Sequence, residues 1–147
     1  MALKDAHFAT KVIGVDTSQA HIQKALEIGL IDEAADLQTA VQASKLVILS
    51  VPVDAIEKLL PQVLDFVEDQ VVIDAGSIKE AVLDAIKDHP KKGRFVATHP
   101  MWGTEYSGPE AAVRGAFVNK ATVICNKEES DADAIALTEK LYQTLGM

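Results

Sequence analysis

KLVILSVPVDAIEKLLPQVLDFVEDQVVIDAGSIK, Lys45–Lys79, holds a strand, a helix and a second strand in that order. KLVILSV, Lys45 to Val51, is apolar almost throughout, as expected of a parallel strand covered on both faces. Pro52 ends it, and Asp54 is placed to cap the helix that follows. Ile56, Leu59, Leu60, Val63, Leu64 and Val67 recur at helical spacing, which gives that helix one apolar face. Pro61 falls in its middle and predicts a kink or two consecutive short helices. QVVIDAGS, Gln70 to Ser77, is a second buried strand running into a turn.

The same alternation continues on either side. Upstream, KVIGVD (Lys11 to Asp16) reads as a strand. Thr17 or Ser18 caps a helix with Ile22, Ala25 and Leu26 on one face, and Gly29 stands where it should stop. A small helix starts near Asp36 and carries Leu37, Ala40 and Val41 on one side. Downstream come a helix from about Ile78 to Lys87, the strand RFVATHP, a loop from Pro100 to Pro109 and the strand ATVICN. Ser130 and Asp133 read as a capping pair for a last helix bearing Ile135, Leu141, Tyr142 and Leu145. No linker or repeat interrupts the series, so the expectation is one α/β domain with a mostly parallel sheet and helices on both faces.

Bulk properties narrow the partners. The chain has 147 residues, 48% of them hydrophobic and 24% charged, enough for one domain with a real core. A net charge of −8 offers no basic stripe for nucleic acid and no attraction to an anionic membrane. No apolar run is long enough to span a bilayer, and the start MALKDAHFATK carries charges where a signal peptide is apolar. The single cysteine, Cys125, lies in an apolar run and reads as inert packing; a cytoplasmic location follows as the default.

In open α/β sheets ligands bind beyond the carboxyl ends of the strands. The candidates are therefore Asp16, Ser50 with Pro52, Asp74 to Ser77, and His99. Asp16 is placed either to accept hydrogen bonds from the ribose hydroxyls of a dinucleotide or to cap the next helix. Gly76 and Ser77 present a hydroxyl and backbone N–H groups at a helix start, which suits a ligand; a plain N-cap role for Ser77 is the alternative. His99, held extended by Pro100, is the strongest candidate for accepting a proton near neutral pH. His7, His21 and His89 lie in polar contexts and are expected at the surface; no pair has metal-ligand spacing, so no metal site is expected.

DAGSIK followed by THPMWGTEYSGPEAA resembles the signature of the prephenate dehydrogenases of tyrosine biosynthesis. VIGVD resembles the second strand of that family, KLVILSVPV its fourth, and FVNKATVICN the strand closing its nucleotide domain. The resemblance implies a Rossmann-like fold and NAD-dependent oxidation of prephenate, with loss of CO2, to 4-hydroxyphenylpyruvate. It implies that His99 bonds the ring hydroxyl and assists its deprotonation, and that Ser77 orients His99 and touches the substrate near the nicotinamide. Asp16 favours NAD over NADP. Ser50, Val51, Pro52, Val53, Asp74 and Gly76 line the cofactor site, and Thr104 and Glu105 belong to the loop gating the substrate. Trp102 replaces a small residue of the motif, which bears on the choice between prephenate and arogenate.

The ends depart from the pattern. The family's first, central strand and its G-x-G-x-x-G turn are missing upstream of Val12, and Gly14 inside a strand is no substitute. The C-terminal helical domain, with the substrate cations and the homodimer interface, is missing downstream. Residues 1–147 are thus expected to be a partial NAD(P)-binding domain, and a sheet without its central strand must pair directly across the gap, borrow a strand or lose stability. Two further readings stand beside the dehydrogenase: a non-catalytic remnant, and a hydroxyisobutyrate-type reductase, which lacks the HPM-GTE cluster.

Overall fold

A computed structural model of the chain describes residues 2–103, 106 and 108–147. The elements run α1 (Ala2–Asp5), β1 (Ile13–Gly14), α2 (Gln19–Glu27), β2 (Glu33–Ala34), α3 (Leu37–Gln42), β3 (Leu46–Leu49), α4 (Val53–Asp65) and β4 (Val71–Asp74). They continue with α5 (Glu80–Asp84), β5 (Phe95–Pro100), β6 (Thr122–Cys125) and α6 (Ala132–Thr144).

Four strands form the main sheet in the order β3-β4-β5-β6, with β3, β4 and β5 parallel. β6 runs antiparallel to β5, with His99 opposite Val123. This mixed α/β architecture bears out the expected fold class. Helices cover both faces because side chains alternate along each strand. On one face Val72 and Ala97 pack with Ile56, Leu60, Val63 and Leu64 of α4 and Val82 of α5. On the other, Val71, Ile73 and Val96 meet Ala134, Leu141 and Tyr142 of α6. Ile56, Leu60, Val63 and Leu64 are fully buried, as the helical spacing required.

One local expectation is narrowed and two are corrected. Of the two outcomes expected at Pro61, the two short helices are not found: α4 is one helix with Pro61 inside it, and four buried side chains hold both halves against the sheet. Its cap residue is Pro52; Asp54 sits in the first turn, where negative charge complements the helix dipole. Ser130 does not cap α6: Asp131 holds that position, while Ser130 Oγ donates to the Phe95 carbonyl at 2.7 Å and Asp133 turns to Arg94.

β1 and β2 form a separate parallel pair of two residues each, Ile13 with Glu33 and Gly14 with Ala34. β2, exposed and polar, gave no strand signal in the sequence. β1 is not hydrogen-bonded to β3, so the two sheets do not close on each other by direct pairing.

Candidate active site at the strand ends

β3, β4 and β5 end side by side, and the turns that follow carry the candidate residues. Exposed apolar side chains follow the strand ends: Val51 past β3 (39% exposed), Ile78 past β4 (60%) and Met101 past β5 (53%), with Val15 (47%) past β1 of the smaller sheet. Apolar surface at successive strand ends is the lining expected of a bound planar ligand.

The ground beneath this surface is built on Asp74. It has no exposed surface, and its carboxylate is fully committed. Oδ1 accepts the Thr98 N–H at 3.1 Å; Oδ2 accepts the Gly76 N–H at 3.0 Å and the ammonium of Lys79. Lys79 Nζ also donates to the Gly76 carbonyl at 2.6 Å. Asp74 and Lys79 therefore clamp the turn Ala75–Ile78 from below. Gly76 fits closely in this clamp: a Cβ there would stand 3.0 Å from Asp74 Oδ2 and 3.2 Å from Ile56 and Val53 side chains, so these neighbours would have to shift by a few tenths of an ångström. The spacing of Asp74 and Lys79 inside DAGSIK was the available signal for this pair, and the sequence reading passed over Lys79.

Ser77 is exposed in the turn and is not the cap of α5, which Lys79 provides. The structural alternative for Ser77 thus falls away. His99 is half-buried near the end of β5. Alternation puts Val96 and Thr98 on the α6 face, where Thr98 meets Tyr142, and Ala97 and His99 on the opposite face with α4 and α5. His99 thus shares a face with the helix that the Ser77 turn leads into. The two side chains make no hydrogen bond to each other, and each leaves its polar atoms open to a ligand as far as the described residues go.

Ser50, Val51 and Pro52 are exposed at the end of β3, and Val53 is half-buried as α4 begins. Asp16 is exposed just past β1: Oδ1 accepts the Ser18 N–H at 2.7 Å, and Oδ2 lies 3.2 Å from His21 Nδ1. Ser18, not Asp16, caps α2, accepting the His21 N–H at 3.3 Å. Thr104 and Glu105 lie outside the described residues. Trp102 packs edge-on against Phe117, with ring centroids 5.6 Å apart. His89 corrects its expectation: it is largely covered, with Nδ1 accepting the Lys91 N–H and Nε2 facing Asp65. Cys125 packs half-buried against the α4–α5 core, as expected of an inert thiol.

Among known proteins, the family model described as prephenate dehydrogenase, nucleotide-binding domain, matches residues 1–147. The chain is 31% identical over 147 residues to a prephenate dehydrogenase of Bacillus subtilis, covering 97% of this chain and 40% of that protein. It is 29% identical to a cyclohexadienyl dehydrogenase of Zymomonas mobilis, covering 89% and 45%. Among solved structures, a prephenate dehydrogenase from Aquifex aeolicus in complex with hydroxyphenyl propionate and NAD+ superposes with a TM-score of 0.87 at 28% identity, covering 99% of this chain and 51% of that one. The arogenate dehydrogenase of Synechocystis gives a TM-score of 0.81 at 30% identity, covering 92% and 48%. The chain thus spans about half the length of these relatives or less. Motif, fold and family model agree, and the chain belongs to the prephenate dehydrogenase family through its nucleotide-binding domain.

Proposed function

We propose that this chain is the cofactor-binding part of an enzyme that oxidises prephenate with NAD, releasing CO2 and forming 4-hydroxyphenylpyruvate. The observation that carries the reading is the gathering of His99, Ser77, Asp16 and exposed apolar side chains at the carboxyl ends of the strands. The residues fit NAD through an exposed carboxylate for the ribose and apolar surface for the rings. NAD supplies the hydride acceptor.

Asp16 receives the adenosine ribose hydroxyls, and Ser50, Val51, Pro52, Val53 and Gly76 line the cofactor. Asp74 serves from beneath, holding Gly76 and Lys79 in place. His99 accepts the proton of the ring hydroxyl as hydride leaves the carbon that bears it. The electron pair released with the departing CO2 then aromatises the ring, and the proton held by His99 returns to the phenolate oxygen. Ser77 bonds the substrate hydroxyl and steadies His99, and Thr104 and Glu105 belong to the loop over the substrate. The relatives are longer than the part matched here; in the parent enzyme the family resemblance puts the cations for the substrate carboxylates and the homodimer contact in a helical domain outside residues 1–147.

The test is calorimetric titration with NAD, then NADH formation with prephenate. Micromolar NAD binding by this chain is expected, and in the full-length parent enzyme a rate of NADH formation that disappears in His99→Asn with NAD binding kept. NAD reduction by hydroxy acids but not by prephenate would overturn the substrate. Preference for arogenate would place the chain with relatives such as that of Synechocystis.

A further inference from the structure

We propose that His21 makes the choice between NAD and its 2′-phosphorylated form depend on pH, an inference that rests on the dinucleotide reading above. Asp16 is the only carboxylate at the end of β1, and both its oxygens are already oriented. Ser18 N–H holds Oδ1 at 2.7 Å and His21 Nδ1 stands 3.2 Å from Oδ2. Each oxygen keeps a lone pair for a ribose hydroxyl.

His21 is exposed, and its far nitrogen looks the other way. A Cβ on Gly108 would lie 3.4 Å from His21 Nε2, so this atom faces the end of the segment that follows β5. Gly108 has φ +83°, a conformation that favours glycine, and this permits the close approach. Between α2 and this segment lies an open cleft lined by His21, Lys24, Glu27 and Glu110. The charged groups facing His21 are thus Asp16 from its own turn, Lys24 and Glu27 from α2, and Glu110 from the opposite segment. Lys24 is shared between Glu27 at 3.7 Å and Glu110 at 4.0 Å.

With neutral His21 three carboxylates face one ammonium. Nδ1–H donates to Asp16, and the ribose meets an acceptor that repels a 2′-phosphate. Protonation adds a positive charge beside Asp16 and a second N–H donor at Nε2, directed into the cleft. A 2′-phosphate next to Asp16 then meets a carboxylate whose repulsion the neighbouring imidazolium charge offsets.

The experiment is calorimetric titration of the chain with NAD and with NADP between about pH 8 and about pH 5.5, repeated with His21→Gln. The expected result is a preference for NAD that narrows about three- to fivefold more in the unsubstituted chain than in the variant as pH falls. The phosphate itself takes up a proton near pH ~6 in both proteins, so the difference between them isolates His21. Equal narrowing in both overturns the role of His21 and leaves the cofactor reading standing. No binding of either dinucleotide by the unsubstituted chain overturns the cofactor reading and this role with it.

Discussion

Thr98 and Asp74, neighbours across β5 and β4, are joined twice. The Thr98 N–H donates to Asp74 Oδ1 at 3.1 Å, and the Thr98 hydroxyl donates to the Asp74 carbonyl. With its proton spent there, Thr98 Oγ1 accepts from the Tyr142 hydroxyl at 2.6 Å. A fully buried chain of polar groups therefore runs from α6 to the turn that carries Ser77.

Thr98→Val keeps the shape and removes the hydroxyl. It leaves the Tyr142 hydroxyl without its acceptor in a buried setting. The expected cost is about 1–3 kcal/mol, read as a lower denaturation midpoint at unchanged slope. An unchanged midpoint would show that this chain of bonds contributes nothing net.

Tyr142 gives the fold an alkaline limit. Burial pushes its hydroxyl above the usual value of 10.0, against the opposing pull of its bond to Thr98. The unfolded chain ionises tyrosine near ~10, so the contribution is complete below that pH. It is lost as pH rises from there through the raised folded value. Tyr142→Phe should start less stable near neutrality and fall less steeply above pH ~10. Parallel curves for the two proteins would rule the linkage out.

Pro61 sits inside α4 with no N–H to give the Glu57 carbonyl. Interior proline costs a helix about 3 kcal/mol, partly offset by about 1 kcal/mol from a stiffer unfolded chain. Pro61→Ala should therefore raise stability by about 1–2 kcal/mol in urea unfolding. A loss would mean that the buried face of α4 depends on the bend proline imposes.

Arg94 ties the start of β5 to Asp69, Gln70, Asp131 and Asp133. It donates to the Asp69 carbonyl at 2.5 Å, the Gln70 carbonyl at 3.3 Å and the Asp133 carboxylate at 2.8 Å. Desolvation disfavours its charge, but the bonds to Asp133 and Asp131 outweigh this and hold its pKa above the ordinary value. Lysine cannot reproduce a fork of this geometry. Arg94→Lys should destabilise by about 1–2 kcal/mol, and high salt should recover little of the difference in melting temperature.

The parallel core was legible because strands covered on both faces must be apolar throughout, as Val71–Asp74 is; Leu46–Leu49 shows the same apolar run, although Ile48 is exposed on one face. The direction of β6 was not, since an apolar run does not encode whether its neighbour is parallel. β2 was missed because Glu33 and Ala34 bury nothing. His99, Ser77 and Asp16 stood out by their place after strands. Lys79 and His21 did not, because each acts through a carboxylate five residues before it in a turn, a contact that no helical or strand period predicts.

The small β1–β2 pair rests on a ladder of two residues per strand and carries Asp16, while His99 and Ser77 ride on the four-stranded sheet. Two such parts open on different schedules: amides around Ile13 and Gly14 should exchange with solvent well before those of Val72 and Ile73. A molecule reaching from Asp16 to His99 would act as a staple between them. It would slow exchange in the weaker part more than in the stronger one, and raise the temperature at which that part gives way by mass action alone.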